Sequence, residues 1–325
     1  MVVKADLGRW IGTLAEWENP IQKPLDLIGR SYVWIRTEIE PTILFDLARD
    51  DETRIALIGN LDEGIGFIIL EHDIVLPYCV GISAGTEILL SYVSKQVDRL
   101  EVTGIDAPCQ KGVVGLRPFL KEGSIFGIEA TYDFIESRVP LDLEAFQNSE
   151  TQMEVGLYNL KTHKVEYFNK SHIDKDETLI KASCALLLLA KPYKFNGEMW
   201  MDAGLVDMIS IEQSLRAGND KHIVISTKEE GYVRKPAPKW QLWLSNLVYK
   251  DKQITDDLRN RHVRYKEQWD KIAQLEKEGK ALVLRPHKDL GVTRYTTDPE
   301  KLGPWFQLGY DETLERIDQI KEFIK

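Results

Sequence analysis

From residue 54 onward, short apolar runs alternate with stretches whose apolar residues recur every three to four positions. Residues 54–60 (RIALIGN) read as a buried strand ending in a glycine-containing loop, and residues 66–73 as a short helix. Residues 78–83 (YCVGIS) form a second buried strand. Ala84, Ile88, Leu89, Tyr92 and Val93 then fall at helical spacing, so a helix begins as that strand ends. Residues 152–159 and 165–169 are joined by a polar turn and predict an antiparallel pair. An apolar helix is expected over 178–189, capped by Asp176 or Thr178, then a Phe-Asn-Gly turn and a strand over 198–202. A helix over 211–217 leads to a strand over 222–227. Residues 239–278 read as mostly helical, 281–285 as the last strand and 313–324 as a closing amphipathic helix. Strands alternating with helices predict an α/β fold with a largely parallel sheet. Residues 1–53, with Pro20, Pro24 and Pro41 among short apolar patches, show no motif and stay unassigned ahead of a domain over 54–325.

Charge and cysteine content narrow the function classes. Forty-two Lys and Arg against fifty-two Asp and Glu leave a formal charge of −10 over 325 residues. Phosphate backbones are bound chiefly by Lys and Arg, so nucleic acid is not an expected partner. Cys79, Cys109 and Cys184 are odd in number and far apart, which argues against a zinc site or a disulfide framework and for a reducing compartment. The six histidines form no ligand cluster, and no metal or cofactor is implied. The longest strongly apolar stretch, residues 182–190, is shorter than the roughly 20 residues a membrane span needs. The expected location is the cytoplasm.

The chemistry concentrates at Gly81-Ile82-Ser83-Ala84-Gly85, a G-x-S-x-G sequence between a predicted strand and a predicted helix. A nucleophilic serine needs a sharp turn that lifts its hydroxyl clear of the sheet, and Gly81 and Gly85 permit that turn. The Ala84 N–H, at the start of the helix, is aimed at an oxyanion forming on an attacked carbonyl. The matching base is Asp202, in Asp202-Ala203-Gly204 at the end of a predicted strand. The competing reading makes Asp202 the shaper of a turn before Gly204.

These motifs resemble those of the bacterial patatin-like phospholipases, whose elbow is G-x-S-x-G and whose base is the Asp of a D-G-G or D-G-A segment. Gly81 to Gly85 matches the first in full, and Asp202-Ala203-Gly204 matches the second with one substitution. Lys181-Ala182-Ser183-Cys184-Ala185 is similar to the family's A-S-x-A segment, with Leu186 in place of the usual proline. Glu230-Gly231-Tyr232-Val233, Asp298-Pro299-Glu300-Lys301-Leu302 and Leu308-Gly309-Tyr310 are similar to tail segments of a bacterial branch. The resemblance implies a three-layer α/β fold, a mainly parallel sheet flanked by helices, with helical additions at the C-terminus. It implies a Ser83–Asp202 dyad that hydrolyses a lipid or other acyl ester, with transient membrane-surface contact and no cofactor. The family's glycine-rich oxyanion loop, D/E-G-G-G-x-R-G, has only Gly59-Asn60-Leu61-Asp62-Glu63-Gly64 as a counterpart. Gly59 and Asn60 are therefore the expected oxyanion donors beside Ala84, in a loop with fewer glycines and with acidic side chains. A lipid-binding protein with impaired catalysis is the alternative outside the enzymes.

Other residues have competing readings. His287 follows Ser83 and Asp202 in the chain order of a Ser-Asp-His triad, although a solvent-exposed loop histidine is the preferred reading. Trp200, Trp240, Trp243, Trp269 and Trp305 are expected in the core or packed under a lid. Trp240, Leu242, Trp243, Leu244, Leu247 and Val248 read as core, with an acyl-pocket wall or a membrane contact as alternatives. Arg259, Arg261 and Arg264 read as a solvated helix face.

Overall fold

The computed structural model describes residues 54–59 and 63–325. The expectations for residues 1–53 and for Asn60 lie outside the described residues. Strand β1 (Ile55–Gly59) is followed by helix α1 (Glu63–Glu71), β2 (Tyr78–Gly81), α2 (Ala84–Val93) and α3 (Val97–Glu101), which runs into a π-helical turn, Val102–Asp106. Then come α4 (Leu116–Glu122), α5 (Ile128–Arg138), α6 (Leu143–Asn148), β3 (Gln152–Asn159), β4 (Val165–Asn169) and α7 (Thr178–Ser183). The chain continues through β5 (Tyr193–Phe195), β6 (Glu198–Asp202), α8 (Ile211–Arg216), β7 (Lys221–Ile225) and α9 (Lys239–Tyr249). It ends with α10 (Lys252–Lys277), β8 (Ala281–Leu284), α11 (Pro299–Glu315) and α12 (Ile317–Phe323).

The eight strands form one sheet, hydrogen-bonded along the path β5-β6-β3-β2-β1-β7-β8, with β4 also on β3. The pairs β1–β2, β1–β7, β2–β3 and β7–β8 are parallel, and β3–β4, β3–β6 and β5–β6 are antiparallel. Successive side chains of a strand point to opposite faces, and β1 shows both layers at once. Ile55 and Leu57 pack with Ile65 and Ile69 of α1, Ile88 and Leu89 of α2 and Ile320 of α12. Ala56 and Ile58 pack with Ile211 of α8 and with Tyr265, Ile272 and Leu275 of α10. Burial on both faces explains why the central strands are continuous apolar runs. The fold is α/β, a mostly parallel sheet between two helical layers, as the alternation of elements predicted.

Several elements depart from the sequence pattern, each for a tertiary reason. The apolar run expected to be helical over 178–189 leaves the helix after Ser183, and Leu188 takes a φ of 67°. Its backbone groups bond elsewhere. Ala185 C=O accepts from Asp202 N at 3.0 Å, Leu189 C=O from Ile125 N at 2.7 Å, and Leu188 N donates to the Tyr249 hydroxyl at 3.2 Å. Helix α11 begins at Pro299, well before the expected residue 313, and contains Pro304. Asp298 caps it by accepting from Glu300 N at 3.1 Å, and Pro299 in the first turn loses no bond because that N–H has no helical acceptor. The tryptophans divide. Trp200 and Trp305 are buried, but Trp240 and Trp243 are each 65% exposed, with Leu247 and Val248 of the same helix also exposed. That corrects the reading of this cluster as core: α9 buries only Ser245 fully.

Candidate active site

Strand pairing brings the two motifs together. β4 pairs with β3 continuously from Glu154 to Tyr158, so it occupies one edge of that strand. β2 pairs with β3 up to Gly81 opposite Val155, and β6 pairs from Asn159 back to Asp202 opposite Leu157. Both must use the other edge. β2 and β6 therefore run toward each other along one side of β3, and their C-terminal ends meet at Gly156. Ser83 follows the end of β2 and Asp202 ends β6. The sequence argument placed Asp202 at the carboxyl end of a strand in a largely parallel sheet. It reaches the same place on an antiparallel one.

Ser83 has φ 56° and ψ −131°, a backbone conformation that L residues avoid and that costs of order 1–3 kcal/mol where it occurs. Neighbouring groups hold it there. The Ser83 N–H donates to Ser183 Oγ at 2.9 Å, and Ser183 in turn donates to Gly156 C=O at 3.2 Å. Ser83 C=O accepts from Thr86 N at 2.8 Å and from Thr86 Oγ1 at 2.6 Å, which starts α2. Gly81 is required by close approach. A Cβ there would lie 2.8 Å from Leu89 Cδ1 and 2.9 Å from the Gly85 carbonyl carbon, both on the helix that follows. Ser183 and Thr86 were not singled out from sequence as supports of the turn. The Ala-Ser-Cys-Ala segment was the available signal for Ser183.

Asp202 is buried, at 4% exposure. Its Oδ1 accepts from Gly204 N at 2.6 Å, so it does shape the turn before Gly204, and this does not exclude a second role. A Cβ at Gly204 would lie 2.8 Å from that same Oδ1, which is why the third position of Asp-Ala-Gly is glycine. The Ser83 hydroxyl lies near enough to the Asp202 carboxylate to act on its protonation. Burial pushes the Asp202 carboxyl above its ordinary value. The Gly204 N–H, the charge of Arg261, the Ser83 hydroxyl and the charge of Arg294 act in the opposite direction. Arg261, expected on a solvated helix face, instead donates from Nε to Gly204 C=O at 2.5 Å. The residue spacing on α10 was legible, but the approach of that helix to the Asp202 turn was not.

The remaining expected site residues are placed as follows. Ala84 is the first residue of α2, one of the positions whose N–H has no acceptor within the helix. Gly85 N–H donates to Ile82 C=O at 3.1 Å and closes the elbow. Gly59 ends β1, one residue beyond the Ile58–Val80 pair, so the chain leaves β1 beside the end of β2. His287 is exposed and bonds through Nδ1 to Glu312 of α11, not to Asp202. That gives the triad alternative no geometric support. Among the described residues, no group of three or more His, Cys, Asp or Glu is placed to hold a metal ion. No helix among them is long and apolar enough to cross a membrane.

Residues 251–325 match the family model described as a domain of unknown function (DUF6363). No curated protein matches the chain by sequence. Among solved structures, the chain is similar to VipD from Legionella pneumophila at 13% identity and a TM-score of 0.43, over 82% of this chain and 67% of that one.

Proposed function

We propose that the protein is a serine acyl hydrolase of the patatin-like phospholipase type, acting on a carboxylic ester of a lipid through Ser83 and Asp202. One observation carries the reading: the strand register brings a strained serine at a strand-to-helix turn and a buried carboxylate to the same point beside Gly156. In this reading Ser83 Oγ attacks the ester carbonyl carbon while Asp202 accepts the hydroxyl proton. The Ala84 N–H, at the positive end of α2, stabilises the resulting oxyanion. As the tetrahedral species collapses, the carbon–oxygen bond to the alcohol breaks and Asp202 returns the proton to that oxygen. Water then attacks the Ser83 ester, with Asp202 again taking and returning a proton.

Asp202 must be ionised to begin. Its carboxyl is raised by burial and held down by Gly204 N–H and Arg261, which keeps it a stronger base than a surface aspartate while leaving it titratable. The decisive test is labelling with a fluorophosphonate probe together with turnover of a short-chain ester. The parent should label and turn over. Ser83→Ala should not label, and its kcat/KM should fall by about 10³-fold or more. A parent that binds lipid but neither labels nor hydrolyses would replace this reading with that of a lipid-binding protein without turnover.

A further inference from the structure

Arginines from three separate segments lie within reach of one another, and two of them, Arg261 and Arg294, act on Asp202. Arg261 lies on α10, Arg234 in the segment before α9 and Arg294 in the segment before α11. Arg261 Nε donates to Gly204 C=O at 2.5 Å, and its NH2 lies 3.5 Å from where a Cβ on Gly204 would stand. One turn along the same helix face, the ring of Tyr265 carries the Arg234 guanidinium at 4.7 Å from its centroid. Tyr265 is in turn braced edge-on by Tyr232 and Trp269. Arg294 is within electrostatic range of Arg234, Arg261 and Asp202, and its neighbour Tyr295 stacks on Phe126 at 5.6 Å.

What this cluster lacks is counter-charge. Among the described residues, no carboxylate lies in ion-pair range of any of the three arginines. Arg234 Nε is shielded from solvent and has no hydrogen-bond partner. A buried donor left unmade costs free energy, and like charges held together cost more. Arg234 and Arg294 each act on Arg261 in that sense, and burial with their repulsion lowers it to about 10, so it remains charged at neutral pH. Three guanidinium groups acting on one another, with the single carboxylate of Asp202 near only two of them, make a site that is incomplete without an anion.

We propose that Arg234, Arg261 and Arg294 form a binding site for a phosphate-type oxyanion beside the Ser83–Asp202 pair. The donor number argues for phosphate over carboxylate. Each guanidinium offers a planar fork of donors, and three forks converging from three segments suit an ion with three or more acceptor oxygens and high charge. Placed beside the reacting pair, the site would select esters that carry a phosphate near the scissile bond. That last step rests on the hydrolase reading, whereas binding of the anion does not.

The test uses the full chain and two probes, inorganic phosphate and the short-chain ester dibutyryl glycerophosphate, with neutral tributyrin as the comparison ester. Calorimetry should show both phosphate-bearing probes binding to the parent, more weakly as salt is raised. Arg234→Gln and Arg294→Gln should each weaken binding by about tenfold or more, in keeping with loss of a charge-assisted bond. Arg294 is exposed, so its variant keeps the fold even if that of Arg234 does not. In the same variants the ratio of kcat/KM for dibutyryl glycerophosphate over tributyrin should fall. Tighter binding of the ester than of inorganic phosphate assigns the site to a headgroup, and equal binding assigns it to free phosphate. Phosphate binding without turnover of either ester would keep the site and remove the hydrolase reading. Ester turnover with no phosphate binding, or binding unchanged in both variants, would overturn the site.

Discussion

Arg99 is buried and Arg261 half-buried, and their surroundings are opposite. Arg99 is 2% exposed and fully answered. It donates to Glu136 at 2.5 Å, to Glu177 at 2.6 Å and to Val139 C=O at 2.7 Å, which ties α3 to α5 and to the residue capping α7. Arg261 donates to one carbonyl, and the nearest charges described around it are two further arginines and Asp202. Two carboxylates on an arginine make it a structural tie with nothing left to offer. An arginine fixed through its Nε, with like charges beside it, keeps its charge for something outside the fold. The contrast separates holding the protein together from binding, within one molecule and with one side-chain type.

The largest effect expected from breaking this contrast is at the paired site. Arg99→Met leaves Glu177, itself 1% exposed, as an uncompensated carboxylate. Urea unfolding should show a loss of about 3–5 kcal/mol, the usual cost of removing one partner of a buried pair. The loss should depend on pH in a defined direction. Burial already raises the Glu177 carboxyl and Arg99 opposes that, so removing Arg99 raises it further. A group with a raised folded-state pKa contributes stability below its unfolded value and loses it as pH rises through the folded one. The variant should therefore be most destabilised at alkaline pH and recover toward pH 4–5, roughly where an unfolded glutamate titrates.

At the unpaired site, a substitution should move function more than stability. Arg261→Gln removes a charge that holds Asp202 down, so the folded carboxyl rises further. Catalysis requires the ionised form, so the acid limb of kcat/KM should shift to higher pH while the alkaline plateau survives at reduced height. An unmoved acid limb would mean that Asp202 is not the titrating base. The smallest effect is expected for Arg234→Gln, which removes a repelling charge and keeps a polar side chain. Its unfolding free energy should stay within about 1 kcal/mol of the parent or exceed it, because no ion pair is lost. A loss like that of Arg99→Met would show that Arg234 is a structural tie and would dissolve the comparison.

Much of the candidate site was legible because it is local. The elbow needs small residues at fixed offsets from Ser83, and a Cβ at Gly81 would strike Leu89 eight residues on, within the same strand-turn-helix unit. The turn at Asp202 is a side chain bonding a backbone N–H two residues ahead, which a three-residue pattern can encode. Ser183 was less legible, since its contacts with Ser83 and Gly156 span long stretches of chain. Arg261 was misread because an arginine on a charged helix looks the same whether that face meets water or another turn. Trp240 and Trp243 were misread the other way, as apolar periodicity marks an amphipathic face without saying that anything covers it.

The sequence by itself determined the strands and helices around β1 and β2, the β3–β4 pair, the sharp turn at Ser83 and the glycine after Asp202-Ala203. Each depends on residues a few positions apart, where backbone sterics and side-chain period act directly. Only the tertiary structure decided that β2 and β6 meet end to end on one edge of β3, that the helix at residue 178 stops after Ser183, and that arginines from three segments gather beside Asp202 with two of them acting on it. Those outcomes depend on strand register and on which buried backbone groups find partners across the fold, and neither is written in the spacing of residues along any one segment.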